Sequence, residues 1–401
     1  MTHPSMNPNL KGRYAIVGLG LTRMGRVYDS PMGFAVEAVR LALEDAGLDR
    51  RDLDGLLLNP GIAWADTAMG SFALQQALGL RDVRYSVAMN VGGATAAAMV
   101  QQAVMAIDAG LASAVACVFS DAPLKPPKPS ADEKKQGRGP GGSASAYAFA
   151  RGLNAAYGQF GVNALYALVA RRHMHRYGTT NDHLGAVAVA ERAWANRNPA
   201  AQFYESPLTL EEYHRSRWIV EPFHLLDCCL VSNGGAAVIV TSAERARSLR
   251  QPPVYIWGFG QGHPGGDPID TLTSGAPLAK QAAFRMAGID TADVDVAEFY
   301  DCYTFTVLVT LEDYGFCAKG ESGPFAADGS IGPGGRLPVN TGGGQLSSFY
   351  MWGMTPVSEG VIQARGQGGE RQVERRNVVL VSGNGGILST HSTLVLSPLP
   401  S

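Results

Sequence analysis

The chain has 401 residues, 46% hydrophobic and 17% charged, enough for two packed domains or one large duplicated one, with an outside drier than average. A formal charge of -2, with neither a basic stripe nor an acidic tail, gives no electrostatic basis for binding nucleic acid or an anionic membrane surface. Five scattered cysteines without a C-x-x-C pair argue against zinc or dithiol chemistry and for a reducing cytoplasm; no secretory signal opens the chain, and no apolar run reaches membrane-spanning length.

In chain order, Arg13–Leu21 reads as a buried strand. Its Gly18-x-Gly20 lacks the third glycine and acidic residue of a dinucleotide fingerprint and is read as a tight turn. Pro31–Ala46 follows as an amphipathic helix closed by Gly47. Gly55–Asn59 is a short buried strand, Met69–Leu78 a helix and Val83–Met89 a strand. This last strand delivers the turn Asn90-Val-Gly-Gly-Ala-Thr95 into a helix over 96–109, whose polar positions are so few that it is buried on most sides. Ala114–Ser120 is another buried strand.

Residues 121–250 break the alternation. Prolines and the glycine-rich run Asp132–Gly142 make a polar loop, helices cover Leu165–Tyr177 and His183–Asn196, and Asp227–Val240 returns to a strand. The segment is read as an insertion capping the first half. From Val254 the opening pattern recurs: Asp45-Ala-Gly-Leu-Asp-Arg-Arg-Asp-Leu-Asp54 matches Met286-Ala-Gly-Ile-Asp-Thr-Ala-Asp-Val-Asp295. Each copy continues through a strand, an Asn-led glycine turn, a helix and a last strand. The expected organisation is therefore a first half at 1–120, the insertion with its return strand at 121–250, and a second half at 251–401.

One stretch concentrates reactive groups, Glu298-Phe-Tyr-Asp-Cys-Tyr-Thr304, a strand end running into a helix. Tyr300 is either a catalytic phenol or a half-buried strand-end tyrosine, and Asp301 either orients a tyrosine or caps the helix at Thr304. Cys302 is either a nucleophile or a buried structural thiol. His391, beside the last glycine loop, is a possible base or an ordinary core histidine. The cluster Arg171-Arg-His-Met-His-Arg176, with Arg171 and Arg172 at its head, either meets ligand phosphates or is a solvated helix face.

The duplication, the glycine-led buried helices and the insertion resemble the thiolase superfamily over nearly the whole chain, from Ala15-Ile-Val-Gly18 to Ser382-Gly-Asn-Gly-Gly386. Leu225–Val238, Asp301-Cys-Tyr-Thr304 and Leu311–Gly320 are most similar to the sterol carrier protein x, or lipid-transfer protein, branch. The resemblance implies an α/β thiolase fold of five layers, α-β-α-β-α. It also exposes departures: Gly93 stands where a thiolase carries its acyl-accepting cysteine, Tyr300-Asp301 where the family has Asn or His with an acid, Tyr350 where it has the histidine of Gly-His-Pro, and Ser382 where it has the second cysteine.

Thiolysis needs a covalent acyl acceptor, and thiolate is the side chain suited to it. Retro-aldol cleavage of a β-hydroxyacyl-CoA needs only a base, an acid and an enolate-holding pocket, roles open to Tyr300 and Tyr350 with backbone amides near Gly93, Gly343, Gly385 and Gly386. The combination resembles the thiolase-like aldolases of steroid degradation, which cut a 17-hydroxy steroid carboxyl-CoA into a 17-ketone and propionyl-CoA. That resemblance implies coenzyme A only as part of the substrate, no metal or other cofactor, a homodimer core in a heterotetramer, and a zinc-ribbon/OB-fold partner or hydratase-associated domain. A 3-ketoacyl-CoA thiolase and a non-catalytic acyl-CoA- or sterol-binding subunit are the alternatives.

Overall fold

The computed structural model describes residues 10–127, 161–266, 270 and 272–401, so the loop expected over Asp132–Gly142 lies outside the described residues. The first half runs β1 (Tyr14–Leu21), α1 (Pro31–Ala46), β2 (Gly55–Pro60), α2 (Gly70–Leu78), β3 (Tyr85–Ala88), α3 (Thr95–Asp108) and β4 (Ala114–Asp121). The insertion supplies α4 (Val162–Tyr177), α5 (Asn181–Ala195), α6 (Leu210–Arg215) and the small hairpin β5 (Trp218–Val220) and β6 (Phe223–His224). It returns as β7 (Gly234–Ser242) and α7 (Ala243–Ala246). The second half is β8 (Val254–Gly262), α8 (Ala276–Ala287), β9 (Val296–Phe299), α9 (Thr304–Asp313), α10 (Ser322–Ala327), α11 (Met354–Arg365), β10 (Val379–Gly385) and β11 (Thr390–Ser397).

Nine strands form one sheet in the order β3-β2-β4-β7-β1-β8-β11-β10-β9. The seam is a short antiparallel pairing of β1 with β8, Ala15 opposite Tyr255 and Ile16 opposite Val254. Read outward from that seam the halves are copies: β1-β7-β4-β2-β3 on one side and β8-β11-β10-β9 on the other, with Val339 bridged to Ala297 where a fifth strand would lie. In both, the pairings nearest the seam are antiparallel and the outer ones parallel.

Local chemistry repeats with the topology. Ser30 caps α1 by accepting the Gly33 amide at 2.9 Å, and Gly47 ends the helix in the left-handed region; Gly288 ends α8 the same way. In the turn that follows each, an aspartate amide is bonded to an aspartate carboxylate three residues on, Asp49 to Asp52 and Asp290 to Asp293, both at 2.8 Å. Asp54 then accepts the Ala114 amide at the head of β4, as Asp295 accepts that of Val378 ahead of β10.

The apolar core falls into three clusters, which define five layers. One lies between α1 and the outer face of the first half, and a second holds α3 and α11 between inner faces of both halves. The third covers the outer face of the second half, and there the insertion differs from the sequence reading. Val169 and Ala170 of α4 and Leu184 and Val187 of α5 share that cluster with Phe305, Leu308 and Tyr314, so the insertion caps the second half. Its helices keep apolar faces that only a partner layer can bury, and α9 offers one.

Gly18 and Gly20 also differ from their reading as a turn. They lie within β1, where a methyl would overlap the Ala42 and Ala38 carbonyls of α1, and Gly258 and Gly260 meet Ala283 and Ala279 of α8 in the same way. Glycine here lets a helix backbone settle on a strand backbone. Gly20→Ala should therefore lower stability in urea denaturation by about 1–3 kcal/mol, as overpacking does. Gly265→Ala, at a position with nothing within 4 Å, should leave it unchanged.

Candidate active site

The strand end that carries Tyr300 is locked through its main chain. The Tyr300 amide donates to the Ser382 carbonyl at 2.9 Å, one residue beyond β9, and the Tyr300 carbonyl accepts from Thr306 Oγ1 at 3.1 Å and Asn384 Nδ2 at 3.3 Å. With the backbone held, the ring points at the turn before α3. A methyl on Gly93 would overlap Cε2 and Cζ of that ring, so the phenol fills the space a side chain at 93 would need. Gly92 lies against the last glycine loop, where a methyl on it would come 3.0 Å from the Gly385 Cα and 3.4 Å from the Gly386 amide nitrogen.

Tyr350 arrives from the other glycine turn. Asn340 holds a positive φ of 52°, its Oδ1 accepts the Phe299 amide at 2.6 Å, and one π-helical turn over Gly344–Ser348 follows. Beyond it the Tyr350 amide donates to Ser232 Oγ at 3.1 Å, and its hydroxyl meets that of Tyr300 at 2.9 Å. The structure thus joins Tyr300, Tyr350 and Gly93 at one point, with Gly385 and Gly386 behind the Gly92 turn.

Burial pushes both phenols well above the usual tyrosine range, and each also lies near the thiols of Cys229 and Cys302. Both are neutral at physiological pH. Burial likewise pushes the Cys302 thiol up to about 12, although the Tyr166 and Thr306 hydroxyls beside it favour the thiolate. The Cys229 amide donates to the Cys302 carbonyl at 3.1 Å, and its own thiol is raised by the same desolvation. Thiols kept protonated in this way are poor nucleophiles.

Asp301 is fully buried and contacts neither tyrosine hydroxyl. Its Oδ2 accepts the Gln345 and Leu346 amides at 2.6 and 3.0 Å, anchoring the π turn. Nor does it cap the following helix, whose Thr304 hydroxyl donates to Asp227 at 2.6 Å instead. His391 stands apart from the pair: its Nε2 meets Ser382 Oγ at 2.8 Å and the Tyr314 hydroxyl at 3.2 Å, and burial pushes the imidazole down to about 3. It is a neutral member of a buried Ser–His–Tyr group. Gly343, φ 92°, admits α5, since a methyl there would lie 2.6 Å from Ala195 Cβ. Arg171 and Arg172 are on the exposed face of α4, Arg171 within 3.4 Å of Glu221, while the opposite face buries Tyr166 and His173.

Several residues at the site carry no sequence motif. The Tyr166 hydroxyl donates to Asn384 Oδ1 at 3.0 Å, which links α4 to the Tyr300 carbonyl through the Asn384 amide. Glu191 of α5 accepts from Asn340 Nδ2 at 2.7 Å. Asn384 at least stands inside the glycine loop; Tyr166 and Glu191 lie on insertion helices whose pattern reads as ordinary amphipathic surface. Among the described residues, no group of three His, Cys, Asp or Glu side chains is placed to hold a metal ion.

The chain has relatives among known proteins. The family described as thiolase C-terminal domain-like matches residues 267–398. The steroid side-chain-cleaving aldolase of Thermomonospora curvata is 38% identical over 390 residues, covering 94% of this chain and 96% of that protein. The 17-hydroxy-3-oxo-4-pregnene-20-carboxyl-CoA lyase of Mycobacterium tuberculosis is 36% identical, covering 94% and 97%. Among solved structures, an Ltp2-ChsH2(DUF35) aldolase superposes with a TM-score of 0.85 at 36% identity, over 97% of this chain and 98% of that one.

The burial of the tyrosine pair sets a spectroscopic expectation. In an alkaline titration followed by phenolate absorbance, an unperturbed tyrosine ionises at about pH 10. The contribution removed by Tyr300→Phe or Tyr350→Phe should appear only at higher pH, or with unfolding.

Proposed function

The chain belongs to the thiolase superfamily, and on that premise we propose that it is an acyl-CoA aldolase, a carbon-carbon lyase that cleaves a β-hydroxyacyl-CoA by retro-aldol chemistry. The observation that carries this reading is the pair of neutral phenols at 2.9 Å in the space where thiolysis would need a cysteine. The substrate proposed is a 17-hydroxy steroid bearing a carboxyl-CoA side chain, the chemistry named for the lyase relative. Its products would be a 17-ketosteroid and propionyl-CoA. The tertiary alcohol of such a substrate cannot be oxidised to a β-ketone, so thiolysis is closed to it.

The reaction moves one proton from oxygen to carbon. As the substrate hydroxyl loses its proton, the carbon-carbon bond breaks to the ketone and the bonding electrons pass into a thioester enolate, whose α-carbon then takes a proton. Two hydrogen-bonded tyrosines relay that proton without either being ionised at rest: one accepts from the substrate while donating to its neighbour, which donates onward. Raised pKa values suit this relay better than a standing tyrosinate base, and Tyr300 and Tyr350 are its two members. Backbone amides of the turns around Gly93 and Gly385 are the proposed donors to the enolate oxygen, each such donor being worth about 2.7–4 kcal/mol in known oxyanion sites. Asp301 supports the turn that delivers Tyr350, and His391 stays outside the relay.

Coenzyme A enters as part of the thioester, and Arg171 and Arg172 are candidates for its phosphates; no other cofactor is proposed. The solved neighbour is named for a second, DUF35 component, which supports a partner domain here; that this partner is of zinc-ribbon/OB-fold type is proposed from the sequence resemblance. A homodimer core is proposed along the free edge of β3, the end strand of the sheet, beside the exposed Ile62, Met69 and Phe72. No helix among the described residues is long and apolar enough to cross a membrane.

Product identification tests the reaction directly. Ketone and acyl-CoA should form without added coenzyme A, and a strict requirement for free coenzyme A would overturn the proposal in favour of thiolysis. Tyr300→Phe and Tyr350→Phe should each lower kcat by about 10²–10⁴-fold, the range for losing a general acid or base, with acyl-CoA binding retained. Gly93→Cys should abolish cleavage without conferring thiolysis, because the new side chain and the Tyr300 ring need the same space.

A further inference from the structure

The two carboxyl groups behind the tyrosine site form an unusual pair. Glu191 and Asp301 are 1% and 0% exposed, and both converge on Gly344, where a methyl would overlap Asp301 Oδ2 and come 2.5 Å from Glu191 Oε2. Asp301 Oδ2 is satisfied by the Gln345 and Leu346 amides and Glu191 Oε1 by Asn340. Glu191 Oε2 and Asp301 Oδ1, both buried, receive no donor from any described group.

Charges facing the pair offer no relief. Arg192, next along α5, turns to Ser347 Oγ and the Ser206 carbonyl, and Arg371 is bound to Glu359. Glu298 of β9 adds a third buried carboxyl, bonded to Thr341. Two carboxylates facing each other without a cation repel strongly in a buried site, and a single proton held between them turns repulsion into a hydrogen bond.

We infer that Glu191 is a positioning residue for the reaction: it shares one proton with Asp301, and that proton holds the Asn340–Leu346 turn so that Tyr350 meets Tyr300. The inference rests on the aldolase reading for its catalytic consequence, but the shared proton itself does not. Asn340 and Asp301 tie the turn to the strand end of Tyr300, through the Phe299 amide and by direct succession in the chain. Glu191 is the outside post, bonded to Asn340 directly and joined to Asp301 through the inferred proton. Loss of the proton would leave two charges on Gly344 and push the turn away from β9.

Burial raises both groups, Asp301 to about 6 and Glu191 well above its ordinary value, consistent with a proton retained at neutral pH. The sign for stability follows. The folded pair holds protons that the unfolded chain releases near pH 4, so stability falls as pH rises from about 4 through the folded pKa values and then levels off.

The test compares wild type, Glu191→Gln and Glu191→Ala in full-length protein, with Glu298→Gln as a control for the neighbouring acid. Glutamine mimics the protonated acid: it can accept from Asn340 and donate to Asp301 at every pH. Glu191→Gln should remove one protonated-carboxyl band from the neutral-pH infrared spectrum, distinct from the band removed by Glu298→Gln. It should also flatten the fall of Tm with pH, and keep cleavage within a few fold while losing the alkaline limb of the kcat profile. Glu191→Ala should lose roughly 10–100-fold in kcat, as removal of an outer positioning partner does. Overturning results are an infrared spectrum unchanged by Glu191→Gln, or a Gln variant as impaired as the Ala variant with the wild-type alkaline limb intact. If wild type yields no retro-aldol products but the infrared band behaves as expected, the aldolase reading fails and the shared proton stands.

Discussion

The hydrogen bonds from the Gln345 and Leu346 amides to Asp301 hold the site together more than any contact between the tyrosines themselves. They join the end of β9 to the π turn before Tyr350, two segments more than forty residues apart in sequence. A carboxylate accepting backbone amides in a dry interior is a strong, directional tether, but its own desolvation has to be offset. Asn340 shares the work by accepting the Phe299 amide, and Gly343 and Gly344 remove the side chains that would keep α5 and its glutamate at a distance. The hydroxyl pair is the last link of that assembly.

The same dryness governs reactivity. Phenols, thiols and the one nearby imidazole are all displaced toward their neutral forms, Cys302 to about 12 and His391 to about 3. Such a site does not store a thiolate or a tyrosinate. It favours a reaction in which a proton only changes place, and retro-aldol cleavage, with its single transfer from oxygen to carbon, meets that condition. Acyl transfer to sulfur does not.

Much of the architecture was legible because the chain states it twice. The paired acidic turns at Asp49 and Asp290 are local signals whose hydrogen bonds close within a few residues, and they fold as their patterns indicate. Tyr300 stands out in the stretch Glu298–Thr304 and Tyr350 through the resemblance to the family's Gly-His-Pro motif, and in the structure their hydroxyls meet. What escaped has a common physical origin. The direction in which α4 and α5 bury their faces depends on a tertiary partner, so the insertion was assigned to the wrong half. Gly18 and Gly20 respond to a helix that crosses them, which no single strand reveals, and Glu191 looks like any polar position on an amphipathic helix until Asp301 is seen opposite it.

The contact between Tyr300 and Gly93 also constrains how the two positions can change. A tyrosine at 300 in this position and a side chain at 93 exclude each other, because a methyl on Gly93 would overlap Cε2 and Cζ of the ring as well as the Asn384 carbonyl oxygen. The two positions are therefore coupled: any larger residue at 93 requires both a different side chain at 300 and a shift of the loop that carries Asn384.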